Sequence, residues 1–521
     1  MNCMLKMTKE EESIRLEPNS NDCSADDDDV ERSSGQTTKV FSLSEVRRTL
    51  KEDFGLYEIV LLLLTQLGYI PIAAAMMLNT FLEPSKEWCA MLANGTETAW
   101  VEIPHDEYYS LSVLNGHSCQ ENTPQTNAFI GSLLMWGALV GSFVCGVVSD
   151  NYGRRPVYLG SLFMVSLCHV LFALSGPLPW YSFNLLLIVM GFFCGGYMVT
   201  NFVIITECFE LARSRLLVVS VNGWSVSMVA TGLIAWWAGN YVRFHGAQAT
   251  VGFVIAIVSF LWSFESCRWL SANGKHREAK RVAIKIVARN DKRGVPINEE
   301  DVEELEWFEI LGLSAPIHHE KKSFRALFES SHLLKPTAVM CYSFLASSIV
   351  SFGFYFSIDI LPGNRYVNTS AMGLLKFLLG ATPFFLNQFI SKRVIAISSV
   401  GLCFFAAILV VPTQYFDNVD HHWILVVLSL VISAGIDPTW KINHLYSAEL
   451  FPTSVRSMAR GVCNAGGRLG SVLAPMVVFL RIYNPLIPNI IFAILLFIQL
   501  VVIFAFLPND DDSQANEMND E

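Results

Sequence analysis

Gly146-Val147-Val148-Ser149-Asp150-Asn151-Tyr152-Gly153-Arg154-Arg155-Pro156 is the stretch on which the fold turns. It joins two apolar runs, 127–149 and 156–175, each long enough as a helix to cross a hydrocarbon layer of about 30 Å. Gly153 permits a tight turn, and Pro156 suits the first turn of the next helix. Asp150 is placed to pair with an arginine across the inner face. The two arginines fix the side, because insertion leaves positively charged short loops in the cytoplasm.

Working outward, apolar runs bounded by Gly, Pro and charge clusters predict twelve spans. They fall at 57–80, 127–149, 156–175, 180–205, 215–238, 248–265, 336–358, 371–390, 394–413, 422–447, 459–481 and 485–507. Twelve helices need about 240 residues, and the 521-residue chain, 52% hydrophobic and 16% charged, supplies them. A mean hydropathy of +0.41 excludes a soluble enzyme. The expected fold is an all-α polytopic membrane protein of two six-helix halves, 57–265 and 336–507. A cytoplasmic helical loop (266–335) joins the halves, acidic tails (1–56 and 508–521) flank them, and a large outside loop covers 81–126. The N-terminus, with Asp26 to Asp29 in a row, lacks the basic start of a cleaved signal peptide, so span 1 is expected to serve as an uncleaved anchor.

The net charge of −11 is a sum over segments. Residues 1–53 hold 13 acids against 8 Lys and Arg, residues 508–521 hold 6 acids, and residues 83–126 hold 7 acids against Lys86. Those segments total −17, which leaves the membrane body at +6. Arg154, Arg155, Arg213, Arg215, Lys392, Arg393 and Arg456 lie on one side of the predicted bundle. Both termini and the 13 Lys and Arg of 266–335 share that side, which is therefore cytoplasmic. The sequons Asn94-Gly95-Thr96 and Asn368-Thr369-Ser370 then face outward and are expected to carry glycans. Cys89 and Cys119 share the outside loop, where a disulfide is expected.

The opening stretch resembles the cytoplasmic signature of the major facilitator superfamily, G-x-x-x-D-x-x-G-R-R. Its counterpart after span 8, Asn387-Gln388-Phe389-Ile390-Ser391-Lys392-Arg393, is degraded. Thr206-Glu207 to Arg215 after span 4 echoes Ala448-Glu449 to Arg456 after span 10. In each half a glutamate at the inner end of one helix precedes an arginine at the start of the next. Asp150, Gly153, Arg154, Arg155, Glu207, Arg215, Glu449 and Arg456 are thus the expected cytoplasmic gate. Glu265-Ser266-Cys267-Arg268-Trp269-Leu270 resembles the E-S-P-R-W-L stretch of sugar porters and organic ion carriers, with Cys267 replacing Pro. Beyond it, 275–289 reads as a basic amphipathic helix and 298–312 as an acidic one, a solvated cytoplasmic plate.

Tyr446-Ser447-Ala448-Glu449-Leu450-Phe451-Pro452-Thr453-Ser454-Val455-Arg456, with Arg468-Leu469-Gly470-Ser471 beyond it, is similar to spans 10 and 11 of the solute carrier 22 family of organic cation, anion and carnitine carriers. That family's position at Arg468 is generally basic in anion and carnitine carriers, so the resemblance implies the anion and zwitterion branch. Physics agrees: Arg468 sits roughly 12 Å inside span 11, where an ionisable group faces the bundle interior or a water-filled cavity and its guanidinium can hold a carboxylate bidentately.

Asp437, Lys441 and His444 share one face of span 10 at i, i+4 and i+7. They read either as an internally neutralised Asp437–Lys441 pair or as a charge-switching element with His444 titrating. Tyr355 in Phe352-Gly353-Phe354-Tyr355-Phe356, with Asp359 beyond it, is a candidate to contact an organic body. Asn201 and Asn222 line the cavity or bond neighbouring helices. Lys376, predicted about a turn and a half into span 8, reads as a snorkelling lysine, and Ala381-Thr382-Pro383 lacks the family's glutamate before proline.

The expected activity is alternating-access transport of a small organic anion or carnitine-like zwitterion at the plasma membrane. The expected binding residues are Arg468, Tyr355, Asp437, Lys441, Asn222 and Asn201. The partners are the substrate ion, the lipid bilayer, and a coupling ion (H⁺ or Na⁺) or an exchanged anion; no cofactor, metal or nucleic acid is expected. An organic cation carrier, a sugar-porter-like carrier and a transport-dead receptor or scaffold are the alternatives.

Overall fold

A computed structural model describes residues 54–81, 110, 123–174, 180–209, 212–221, 223–290, 331–358, 361, 363–415, 422–451 and 456–507. It contains twelve helices long and apolar enough to cross a membrane. Spans 1 to 6 are Leu56–Met76, Ala128–Tyr152, Arg154–Leu174, Ser182–Cys208, Leu217–Ala238 and Tyr241–Trp262. Spans 7 to 12 are Leu333–Tyr355, Arg365–Leu386, Lys392–Tyr415, Trp423–Ser447, Ala459–Ile482 and Ile487–Phe506.

Small residues set how closely the helices approach. Gly137 and Gly141 of span 2 face Gly191 and Gly195 of span 4. A methyl on Gly141 would stand 1.9 Å from the Phe192 carbonyl oxygen, and one on Gly195 would stand 2.1 Å from that of Ala138. In a membrane this backbone-to-backbone fit stands in for the hydrophobic drive that lipid tails remove. Gly466 and Gly470 of span 11 meet span 7 in the same way, at the carbonyls of Cys341 and Leu345. The main contacts between halves are span 2 with span 11 and span 5 with span 8. Advancing each helix number by six exchanges these two pairings, so the halves are related as internal repeats.

Two spans break near their midpoints, and each break is paid for by side chains. Span 1 is interrupted at Gly68, and the Thr65 carbonyl accepts from Tyr197 Oη at 2.8 Å and from Asn201 Nδ2 at 3.2 Å. Span 10 is interrupted between Gly435 and Asp437, where Pro438 removes a backbone donor. Around that turn Ser399 Oγ donates to the Gly435 carbonyl, and Lys376 Nζ to that of Ser433, both at 2.5 Å.

Two helices follow span 6. Cys267–Ala272 is capped by Ser266, whose hydroxyl accepts from the Trp269 N–H at 3.2 Å. Burial pushes the Cys267 thiol up to about 12, so it stays protonated and inert. His276–Asn290 buries Ala279, Ala283, Ile286 and Val287. It ends on Asn290, which accepts from the Tyr57 N–H and donates to Glu58, fastening this helix to the start of span 1.

The start of span 8 differs from expectation by six residues, with two consequences. Span 8 begins at Arg365 because Asn364 caps it, accepting from the N–H groups of Tyr366 and Val367 at 2.9 and 3.4 Å. Asn368 therefore lies in the first helical turn, only 6% exposed, a placement that argues against a glycan there. Lys376 lies 11 residues, roughly 16 Å, into the span, beyond the reach of snorkelling. Asn94, Cys89, Cys119 and the acidic segment 298–312 lie outside the described residues.

Candidate functional site

The break in span 10 places Asp437 at the start of a new helix, facing span 8. Its carboxylate stands 3.7 Å from Lys376 Nζ and 3.8 Å from Lys441 Nζ, and all three side chains are buried. Gly380, one turn beyond Lys376, makes the room: a methyl there would stand 2.5 Å from Asp437 Oδ2. The arrangement is a triad of two cations on one anion, with a third member, Lys376, that neither reading of the span 10 face included. Lys376 has further support, donating to Ser433 O and to Ser351 Oγ at 3.2 Å, with its ammonium 5.1 Å from the Tyr355 ring centre. That position corrects the snorkelling reading.

Tyr355 links this charge cluster to the other half. Its hydroxyl accepts from Trp224 Nε1 at 3.0 Å and meets Ser351 Oγ at 3.2 Å. Tyr69 lies between, with ring centres 6.3 Å from Trp224 and 5.4 Å from Tyr197. Spans 1, 4, 5 and 7 thus share an arc of aromatic rings running from Tyr197 through Tyr69 and Trp224 to Tyr355. Arg468 of span 11 points Nη1 at Met198 Sδ of span 4, 3.4 Å away, across the divide between halves. Among the described residues, no carboxylate lies within ion-pair distance of it. Counted together, the buried Lys376, Lys441 and Asp437 and the half-buried Arg468 give an excess of two positive charges.

Contacts close this region at both ends. On the outer side Thr80 Oγ1 donates to the Tyr355 carbonyl at 3.4 Å, and Phe81 stacks on Tyr366 at 6.0 Å. On the inner side Phe202 of span 4 meets the His444 ring at 5.3 Å and the Arg460 guanidinium at 5.6 Å. His444 is also ringed by Phe344 and Trp440, at 5.0 and 5.8 Å, and its Nδ1 has no hydrogen-bond partner among the described residues. That surrounding is aromatic, a packing environment. Asn201 serves the span 1 break described above.

The expected gate is only partly gathered. Arg154 pairs with Asp150, one turn back, and with Glu207 of span 4 at 3.3 Å. Glu265, which sequence reasoning did not include in the gate, holds the same corner. It accepts from the N–H groups of Arg154, Arg155 and Ser266 at 2.9, 3.2 and 3.0 Å, capping span 3 with a negative charge. Trp269 Nε1 adds a bond to the Asp150 carbonyl at 2.8 Å. The network joins spans 2, 3, 4 and 6 within one half. The side chains of Arg215, Glu449 and Arg456 lie outside the described residues, as do Asn222 and Asp359.

Gly153 is indispensable to that corner. Its φ is +115°, and a methyl would stand 2.4 Å from Glu265 Oε2. Gly153→Ala is expected to cost about 2 kcal/mol and to lower the melting temperature of the purified protein. An unchanged transition would show that the corner does not constrain the fold.

Sequence reasoning missed Lys376, Glu265 and Trp224. For Lys376 a signal existed: Lys376 and Gly380 share a face of span 8 at i and i+4, a long cation beside a gap. Nothing comparable marked Trp224, whose role depends on a partner 131 residues away.

Comparison with known proteins places this geometry. The family model described as Major Facilitator Superfamily matches residues 59–475. Human "Solute carrier family 22 member 11" is 25% identical over 458 residues, covering 81% of this chain and 77% of that protein. Xenopus laevis "Solute carrier family 22 member 15-like" is 29% identical, covering 70% and 72%. Mouse "Solute carrier family 22 member 4" is 26% identical, covering 72% and 65%. Among solved structures, the proton:xylose symporter XylE bound to 6-bromo-6-deoxy-D-glucose superposes with a TM-score of 0.61 at 14% identity, covering 87% of this chain and 96% of that one. A partially occluded inward-open form of XylE from E. coli gives 0.59 at 13%, covering 87% and 99%.

Proposed function

The chain belongs to the Major Facilitator Superfamily, and from that premise we propose that it carries a small organic anion, or a zwitterion presenting a carboxylate, by alternating access. It is a multi-pass membrane transporter with distant solute carrier 22 relatives, and not an enzyme. In this reading it works at the plasma membrane with both termini in the cytoplasm.

The observation that carries the substrate class is the charge imbalance where the halves meet. Two buried lysines share one carboxylate, and the half-buried Arg468 has no acidic partner among the described residues. Even a half-buried guanidinium with no counter-charge among the described residues is costly, and a bound carboxylate would supply one through a bidentate pair. Lys376 and Lys441 share Asp437, which holds them without neutralising both, so the site remains positive toward a substrate. The arc of Tyr69, Trp224 and Tyr355 offers ring faces to the organic body, and in this reading Asn201 and Asn222 add polar contacts. Rocking of the halves would break the Trp224–Tyr355 bond on one side and the Phe202–His444 contact on the other. The Asp150–Arg154–Glu207–Glu265 corner stays within its half as a rigid element. Glu449, Arg215 and Arg456 complete the inner gate in this reading, with H⁺, Na⁺ or an exchanged anion balancing the charge moved.

The test is uptake into proteoliposomes from a panel of labelled carboxylates, carnitine-like zwitterions, quaternary amines and hexoses. Carboxylate-bearing solutes should accumulate and compete with one another. Saturable uptake of quaternary amines or hexoses alone would overturn the reading.

A further inference from the structure

We infer that the cytoplasmic corner beneath spans 2, 3 and 6 holds a second, separate binding site, one for a multiply phosphorylated anion. A cavity of about 370 Å³ opens there between the inner ends of those spans and the helices Cys267–Ala272 and His276–Asn290. Four cations line it: Arg155, Lys275, Arg281 and Lys285. Only two carboxylates do, Glu265 and Glu278. Glu265 is already committed, since both of its oxygens accept from backbone N–H groups at the start of span 3. Glu278 is left against four positive groups.

Among the described residues, no carboxylate lies within ion-pair distance of Lys275, Arg281 or Lys285. Lys275 rests 5.1 Å over the Trp269 ring and Lys285 5.9 Å over that of Phe264, contacts that orient an ammonium without discharging it. Arg155 Nη2 donates to the Phe260 carbonyl at 2.7 Å, while its buried Nε has no hydrogen-bond partner among the described residues. Glu278, Arg281 and Lys285 recur at i, i+3 and i+7, so one face of the helix is turned to the cavity. The opposite face, Ala279, Ala283, Ile286 and Val287, is buried, which fixes the cations in place.

Concentrated fixed cations around a concave space suit phosphate groups, and arginine adds a fork that matches their geometry. The volume falls within the range of small-ligand pockets. Trp269, buried behind Lys275, backs the wall of the cavity on that side. A cluster of Lys and Arg directly beneath membrane helices also suits the headgroup of an inner-leaflet phosphoinositide. The same chemistry arrives on a soluble inositol phosphate.

The experiment uses the full chain in phosphatidylcholine nanodiscs. Soluble inositol trisphosphate is titrated in one arm, and phosphatidylinositol bisphosphate is built into the disc in the other. Both arms are read by Trp269-dependent fluorescence quenching and by the shift in melting temperature. Saturable binding in the first arm identifies the free phosphate, and binding in the second arm alone identifies the lipid; absence of both overturns the inference. R281E/K285E, at exposed positions, should weaken binding on the order of tenfold or more. R277E, on the same helix but outside the cavity, should leave it within about twofold. Equal losses in the two variants would mean diffuse attraction to a basic helix and would also overturn it. Neither arm reads uptake, so the result stands apart from the substrate assignment.

Discussion

Arg468→Asp is expected to abolish uptake of carboxylates while leaving the protein at the cell surface. Arg468 touches Met198 across the divide and, among the described residues, no acid, so its removal orphans no buried carboxylate. The loss falls on the substrate. Truncating one partner of a buried charge pair costs about 2–5 kcal/mol, and about 3 kcal/mol is a factor of more than a hundred in affinity. Aspartate adds repulsion to that loss. Arg468→Lys keeps the charge without the planar fork, so it should retain transport with a KM raised on the order of tenfold. A purely structural Arg468 would behave otherwise: both variants would lower surface expression together, with KM unchanged in the protein that remains. Surface biotinylation measured beside uptake separates these outcomes. Gain of quaternary amine uptake in Arg468→Asp would show that this one position sets the sign of the substrate.

The helical architecture was legible because lipid leaves few choices: backbone polar groups must be satisfied within each span, and apolar length announces where that happens. All twelve spans appear in the structure, with ends displaced by a few residues. The displacement at the start of span 8, six residues, has a local cause. Arg365 and Asn368 look like loop residues in a hydropathy reading, yet Asn364 is a cap that starts the helix before the apolar run begins. That single turn hid the depth of Lys376 and placed a buried asparagine in a supposed outside loop. Arg468 was legible for the opposite reason, as an isolated charge deep inside an unambiguous apolar run. The triad was half legible. Periodicity brings Asp437 and Lys441 together on one helix, but it cannot report that the face they share is turned to Lys376, 61 residues earlier. The Trp224–Tyr355 link belongs to the pairing of the halves, which has no periodic signature.

The buried triad yields the largest expected effect on stability, and its asymmetry makes the effect diagnostic. Asp437→Asn removes the anion that two buried ammonium groups share, and breaking a buried pair in this way costs about 3–5 kcal/mol. That is a large share of what holds a folded domain together, so the variant should be poorly expressed and should melt well below the parent. The two lysines are not equally exposed to the loss. Lys376 retains the Ser433 carbonyl, the Ser351 hydroxyl and the face of Tyr355, whereas Asp437 is the partner Lys441 has among the described residues. Asp437→Asn/Lys441→Met should therefore recover most of the lost melting temperature, and Asp437→Asn/Lys376→Met much less. Lys441→Met alone should be mild, because it leaves the Asp437–Lys376 pair intact. Equal rescue by the two second-site changes would mean that the lysines are interchangeable counter-charges. Selective rescue at Lys441 would instead identify Lys376 as the cation held by its own acceptors, free to attract a substrate carboxylate while Asp437 is engaged elsewhere.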